Sequence, residues 1–238
     1  MLNRFARALF TRLFTPVARL LLRWGISPDV VTLVGTLGVS SGALVFYPRG
    51  DFVIGTLVIT AFVFSDMLDG IMARLSGRSS DWGAYLDSTL DRVADAAVFG
   101  GLVLYYAGPG DNEVMASLAL ACLVLGSVVS YSRARAEGLG MRADVGIAER
   151  SERLVAVLLA TGFVGWFLPQ LVLLVVLALL AVASLITVLQ RILYVRKQAL
   201  APGRVDGVST RDARLATEQA KTVKMPESTD HPVGSRDA

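Results

Sequence analysis

The chain has one cysteine and one histidine in 238 residues, and these two scarcities remove several kinds of chemistry at once. Cys122 alone cannot form an intrachain disulfide, and it sits within an apolar run. His231 lies in the polar C-terminal stretch. A zinc centre of cysteines and histidines is therefore excluded, and acid–base work falls to carboxylates. Charge is scarce too. Asp, Glu, Lys and Arg make up 18% of the residues and leave a net charge of +3, too small an excess to mark a nucleic-acid partner. What fills the chain is apolar: 54% of residues are hydrophobic and the mean hydropathy is +0.58, the composition of an integral membrane protein.

A transmembrane helix needs about 20 largely apolar residues. The sequence predicts an all-α fold with six such spans, at 29–48, 52–76, 83–107, 113–136, 151–167 and 169–195. Residues 1–24 carry Arg4, Arg7, Arg12, Arg19 and Arg23 among Phe5, Leu9, Phe10, Leu13 and Leu20, a pattern that predicts an amphipathic helix lying in the membrane interface. Arg12, Pro16 and Arg19 interrupt what would be the apolar core of a signal peptide, so the helix is expected to stay attached. Ser27, Pro28 and Asp29 supply a cap and a start for the first span. Gly38-x-x-x-Gly42 gives that span a close-packing face. Tyr47, Tyr105, Tyr106, Trp166 and Phe167 fall at span ends, where an aromatic belt is expected. The expected layout is an interfacial helix (1–24), a six-helix domain (25–198) and a disordered tail (199–238). Arg78, Arg135, Arg142 and Arg150 fall in one set of connections and Arg49 in the other. Positive charge stays inside, which predicts a multi-pass protein of the cell membrane with both termini in the cytoplasm.

One stretch breaks the apolar rule. Asp66, Asp69, Gly70, Ala73 and Arg74 share one helical face, and Asp87 and Asp91 lie one turn apart on the next helix, followed by Asp95. Carboxylates crowded near a membrane would protonate or repel unless cations neutralised them. Oxygen ligands of this kind suit magnesium, manganese or calcium. Gly70 and Ala73 leave room beside the acids for a ligand, and Arg74 can meet phosphate. The plainer reading is two amphipathic helix ends with solvated acids, and the full spacing argues against it.

The ordered pattern Asp66-x-x-Asp69-Gly70-x-x-Ala73-Arg74, then Gly83-x-x-x-Asp87-x-x-x-Asp91, resembles the motif of the CDP-alcohol phosphotransferases, with every fixed position present. The resemblance implies a magnesium-dependent membrane enzyme that displaces CMP from a CDP-linked substrate. Two ions would be held by Asp66, Asp69, Asp87 and Asp91, with manganese as a substitute. It also implies a homodimer among membrane lipids, with its site at the cytoplasmic face.

A second cluster is basic: SYSRARAE at 130–137, ERSERL at 149–154, and Gln190-Arg191. Arginine suits phosphate because its planar fork donates paired hydrogen bonds and stays charged when desolvated. Some of these arginines, Arg142 and Arg196 among them, belong to headgroup contacts. Together with SPDVVT at 27–32, the segments resemble an actinobacterial branch of the same family that makes phosphatidylinositol phosphate from CDP-diacylglycerol and inositol 1-phosphate. That branch implies Asp29, Val30, Val31, Thr32, Gly70, Arg74 and Ser80 on CDP-diacylglycerol, Arg133, Arg153 and Arg191 on the acceptor phosphate, and Asp91 as proton acceptor as well as metal ligand. Where the branch often carries lysine, this chain has Arg133, which keeps the charge and alters the reach. Two alternatives stay open at this point: glycerol 3-phosphate as acceptor, which would use the same arginines, and a divalent-cation transporter, against which stand the position of the acids toward one face and the absence of a repeat.

Overall fold

The structure is a computed structural model that describes residues 14–77 and 80–201, with the side chains of 65–67 left out. Every regular element among the described residues is helical. Residues 14–23 form α1, followed by α2 (Pro28–Phe46), a 3-10 turn (Tyr47–Arg49), α3 (Phe52–Val63), α4 (Ser65–Ser76), α5 (Asp81–Ala107), α6 (Glu113–Gly138), α7 (Arg150–Trp166) and α8 (Gln170–Ala199). The first half of the expected interfacial helix and most of the expected tail lie outside the described residues.

The helix starts follow local chemistry. Ser27 accepts from the Val30 N–H with Pro28 in the first turn, Ser80 accepts from Gly83 N at 3.0 Å, and Asn112 accepts from Met115 N at 3.1 Å. At α7, Glu149 and Glu152 cap each other's backbone N–H groups. The span expected at 52–76 is divided at Phe64 (φ −66°, ψ −17°) into α3 and α4, so the bend falls just where the acidic stretch begins.

Among the described residues, four helical stretches are long and apolar enough to cross a membrane: Pro28–Arg49, Phe52–Ser76, Glu113–Gly138 and Gln170–Ala199. The other two expected spans form α5 and α7, but Asp91, Arg92 and Asp95 interrupt the apolar run of α5 and α7 is 17 residues long. Leu37, Leu57, Leu104, Leu171, Leu179 and Leu193 are all exposed, as lipid-facing side chains are.

Small residues let α2 pack closely on both neighbours. A Cβ on Gly101 of α5 would lie 2.7 Å from the Ala43 carbonyl oxygen, and one on Gly38 would run into the Phe62 ring. The core they close holds Tyr47, Phe52, Val98, Phe99, Leu102, Tyr106, Cys122, Val157 and Leu177. The aromatic-belt expectation therefore needs correcting at one end. Tyr47 and Tyr106 are fully buried. Tyr47 shares a 2.9 Å hydrogen bond with Thr56, and Phe52 packs edge-on against Tyr47 and Tyr105. The Tyr47 hydroxyl turns inward to Thr56, whereas the Tyr106 ring is held by packing against Phe52 and Tyr105. Trp166 and Phe167, by contrast, are exposed as a belt requires.

Candidate active site

The acidic stretch folds as two helices joined by a short connection. Gly77, in the left-handed region at φ 64°, ends α4 with its N–H on the Ala73 carbonyl, and Ser80 caps α5. α4 and the start of α5 lie against the first turns of α2. Between them lies a cavity of about 210 Å³ lined by Pro28, Asp29, Thr32, Asp69, Gly70, Ala73, Ser80, Gly83, Ala84 and Asp87. Asp69 is 8% exposed, and its Oδ2 accepts a 2.6 Å hydrogen bond from the Thr32 hydroxyl. Nothing lies within 4 Å of a Cβ built on Gly70, so the wall there is open.

The structure brings together Asp29, Thr32, Gly70, Ser80, Asp69 and Asp87 from the expected set. Val30 is exposed, while Val31 is buried beside Ile71 and Met72, so neither side chain lines the cavity. Arg74 is on the last turn of α4 and exposed, outside the lining. Asp66 belongs to α4, but its side chain lies outside the described residues. Asp91 sits one turn further along α5, where its Oδ1 is 2.9 Å from Arg150 Nη1, against Gly35, Thr36 and Leu154.

A second cavity, of about 580 Å³, is lined by Ala84, Ser88, Arg92, Val129, Ser130, Arg133, Ala134, Glu137, Glu149, Arg150, Ser151 and Arg191. Ala84 lines both cavities. Arg133 is exposed and pairs with Glu137 at 2.9 Å. Arg191 is 4% exposed; its Nε donates to Val145 O at 2.9 Å and its Nη1 to Val129 O. Arg153, expected beside them, is not among the lining residues. It is 1% exposed, donates to Ala148 O at 3.2 Å, and faces Asp95 at 3.6 Å.

Sequence reasoning passed over Arg92 and counted Arg150 among the connection arginines. Arg150 instead turns inward, and its Nε donates to Asp95 Oδ1 at 3.1 Å. The signal that could have found it is Asp95 itself: a carboxylate one turn beyond Asp91 in an apolar helix requires a cation.

The donor set of the acidic cavity is carboxylate and hydroxyl oxygen, which fits a hard divalent cation. Among the described residues no three acidic, histidine or cysteine side chains group closely enough to hold a metal ion; Asp66, one turn before Asp69, is the residue whose side chain would extend the set. Two neighbouring cavities that share Ala84, one acidic and one basic, can take the two ends of a phosphoryl-transfer reaction.

The family model for CDP-alcohol phosphatidyltransferases matches residues 25–190, and the chain belongs to that family. The transporter alternative falls with this assignment. Among curated relatives, the chain is 56% identical over 205 residues to the phosphatidylinositol phosphate synthase of Streptomyces avermitilis, covering 84% of each. It is 47% identical to the enzyme of the same name from Cutibacterium acnes, covering 83% of this chain and 98% of that one. The crystal structure of Mycobacterium tuberculosis phosphatidylinositol phosphate synthase with CDP-DAG bound superposes with a TM-score of 0.77 at 44% identity, over 83% of this chain and 99% of that one. The same enzyme in complex with manganese and citrate gives a TM-score of 0.74 at 43% identity, over 84% and 97%.

Proposed function

We propose that this protein transfers the phosphatidyl group of CDP-diacylglycerol to inositol 1-phosphate, releasing CMP and phosphatidylinositol phosphate. The observation that carries the reading is the pair of cavities sharing Ala84, one lined by Asp69 and Asp87 of the acidic motif and the other by Arg92, Arg133, Arg150 and Arg191. The names of the relatives and the CDP-DAG complex of the mycobacterial enzyme support the same donor and product.

Asp66, Asp69, Asp87 and Asp91 would hold two divalent ions, magnesium or manganese, which when bound neutralise charge on the donor's pyrophosphate. Asp29, Thr32, Gly70 and Ser80 border the space for the CDP end of the donor, with the backbone of Val30 and Val31 in the same turn and Arg74 at the rim. Arg133 and Arg191 bind and orient the acceptor phosphate, so that the attacking ring hydroxyl points across Ala84 toward the donor. Arg153 backs this wall from behind by holding Asp95. Asp91 takes the proton of that hydroxyl as its oxygen bonds to phosphorus and the bond to CMP breaks.

The same reading includes six spans, with α5 and α7 crossing in the shelter of the four apolar helices, and an interfacial N-terminal helix continuing into α1. It places the site at the cytoplasmic face of the cell membrane, beside the arginine-rich connections, with a polar tail beyond α8 and a homodimer as the working unit. The test is to supply the purified protein with CDP-diacylglycerol and, separately, inositol 1-phosphate or glycerol 3-phosphate, and to identify the lipid by mass spectrometry. An inositol-containing phospholipid is expected. Product from glycerol 3-phosphate alone would overturn the acceptor assignment.

A further inference from the structure

We propose that Arg150 is a positioning residue that couples the two cavities: it competes with a divalent cation for Asp91, and a phosphate anion in the arginine-lined cavity tips that competition toward the cation. The proposal rests on the reading above.

The backbone that carries Arg150 is pinned. Glu149 and Glu152 cap the start of α7 reciprocally, and the Thr187 hydroxyl accepts from both Ile147 N and Ala148 N at 3.2 Å. The side chain is the part that bridges Asp91 and the arginine-lined cavity. Among its contacts are Asp91 through Nη1 at 2.9 Å and Asp95 through Nε at 3.1 Å, and it borders the cavity it shares with Arg92, Arg133 and Arg191. Asp95 is 8% exposed and also faces Arg153 at 3.6 Å. It therefore stays balanced by two guanidinium groups whichever way the far end of Arg150 turns. Nε is the pivot and Nη1 the moving end.

Two forces act on that end in the same direction. A divalent cation beside Asp91 repels the guanidinium at short range, where charges interact strongly. A phosphate among the cavity arginines attracts it through charge-assisted hydrogen bonds. Turning Nη1 from Asp91 to the anion gives the metal a carboxylate and the acceptor a ligand in one movement. Linkage then requires that phosphate tighten metal binding and metal tighten phosphate binding by the same factor. The consequence for the reaction is order: Asp91 is delivered to metal and attacking hydroxyl when the acceptor phosphate is seated.

The test is Mn²⁺ titration of the purified full chain, read by electron paramagnetic resonance without CDP-diacylglycerol. In the wild type, inorganic phosphate is expected to tighten Mn²⁺ binding by roughly tenfold. Arg150→Gln is expected to bind Mn²⁺ more tightly than the wild type in the absence of phosphate, by about the same factor, and to lose the phosphate effect. Arg150→Lys, which retains the charge, is expected to recover part of it. Wild-type Mn²⁺ affinity indifferent to phosphate overturns the proposal, whether or not the variants fold. So does an Arg150→Gln protein that binds Mn²⁺ no better than the wild type. Because the probe is inorganic phosphate, a failed inositol assay would refute the acceptor reading and leave this measurement intact.

Discussion

Thr32→Val tests how Asp69 is held. Threonine and valine have nearly the same shape, and Thr32 is 7% exposed on the first turns of α2, so the exchange leaves packing in place and removes only the hydroxyl. That hydroxyl lies 3.2 Å from the Pro28 carbonyl and 2.6 Å from Asp69 Oδ2. Its single proton serves the shorter contact, the one with charge behind it. A hydrogen bond to a charged group contributes about 1.5–3 kcal/mol, which corresponds to roughly tenfold to a hundredfold in an equilibrium constant. Outer partners of metal ligands cost a similar 10- to 100-fold, approximately, when they are removed. The variant should therefore bind Mn²⁺ about ten to a hundred times more weakly, and turnover should recover as the Mg²⁺ concentration is raised. Thr32→Ser keeps the donor and should stay close to the wild type. If Thr32→Val bound Mn²⁺ as the wild type does, or if Thr32→Ser were equally impaired, the hydroxyl would not be what orients Asp69.

Other perturbations separate the remaining parts. Asp87→Asn should abolish turnover while leaving the thermal unfolding midpoint in detergent unchanged, since Asp87 is an exposed cavity-wall residue with metal as its proposed partner; activity surviving in this variant and in chelator would end the metal reading. Arg133→Gln should raise the acceptor KM about fivefold and leave donor affinity alone, because an exposed ion pair contributes at most about 1 kcal/mol. Arg153→Gln should instead unfold more easily, by about 1–3 kcal/mol, because it strips one of two cations from a buried carboxylate that keeps Arg150; a pure KM effect with unchanged stability would place Arg153 on the acceptor itself. With Cys122 replaced, a cysteine at 108–112 should react with an impermeant thiol reagent on intact cells and one at 140–146 should not, and equal labelling would refute the orientation.

The donor half of the site was legible because it is local. Asp69, Gly70, Ala73, Gly83 and Asp87 come from two helices that follow closely in the chain, so the helical repeat alone groups them on common faces, and Ser27 and Pro28 announce the helix start that completes the cavity. The break at Phe64 was not legible: neither glycine nor proline marks Phe62 to Asp66, and the turn tightens through backbone angles that an apolar sequence permits without advertising. Tyr47 and Tyr106 were read as aromatic-belt residues because position along a span says nothing about which side of the helix a ring takes; burial came from Thr56, Phe52 and Tyr105.

The acceptor half is assembled from α5, α6, α7 and α8, whose arginines are separated by tens of residues. A positive-inside rule sorts such arginines by side of the membrane and cannot sort them by the direction they face. That direction is decided by partners: Arg133 turns to Glu137 one turn away on its own helix, Arg191 ties down the carbonyls of Val129 and Val145, and Arg153 and Arg150 are drawn in by Asp95. A lone carboxylate past the end of a metal motif is therefore the more informative residue, because its burial demands a cation. Which guanidinium answers becomes visible only when four helices have been packed together.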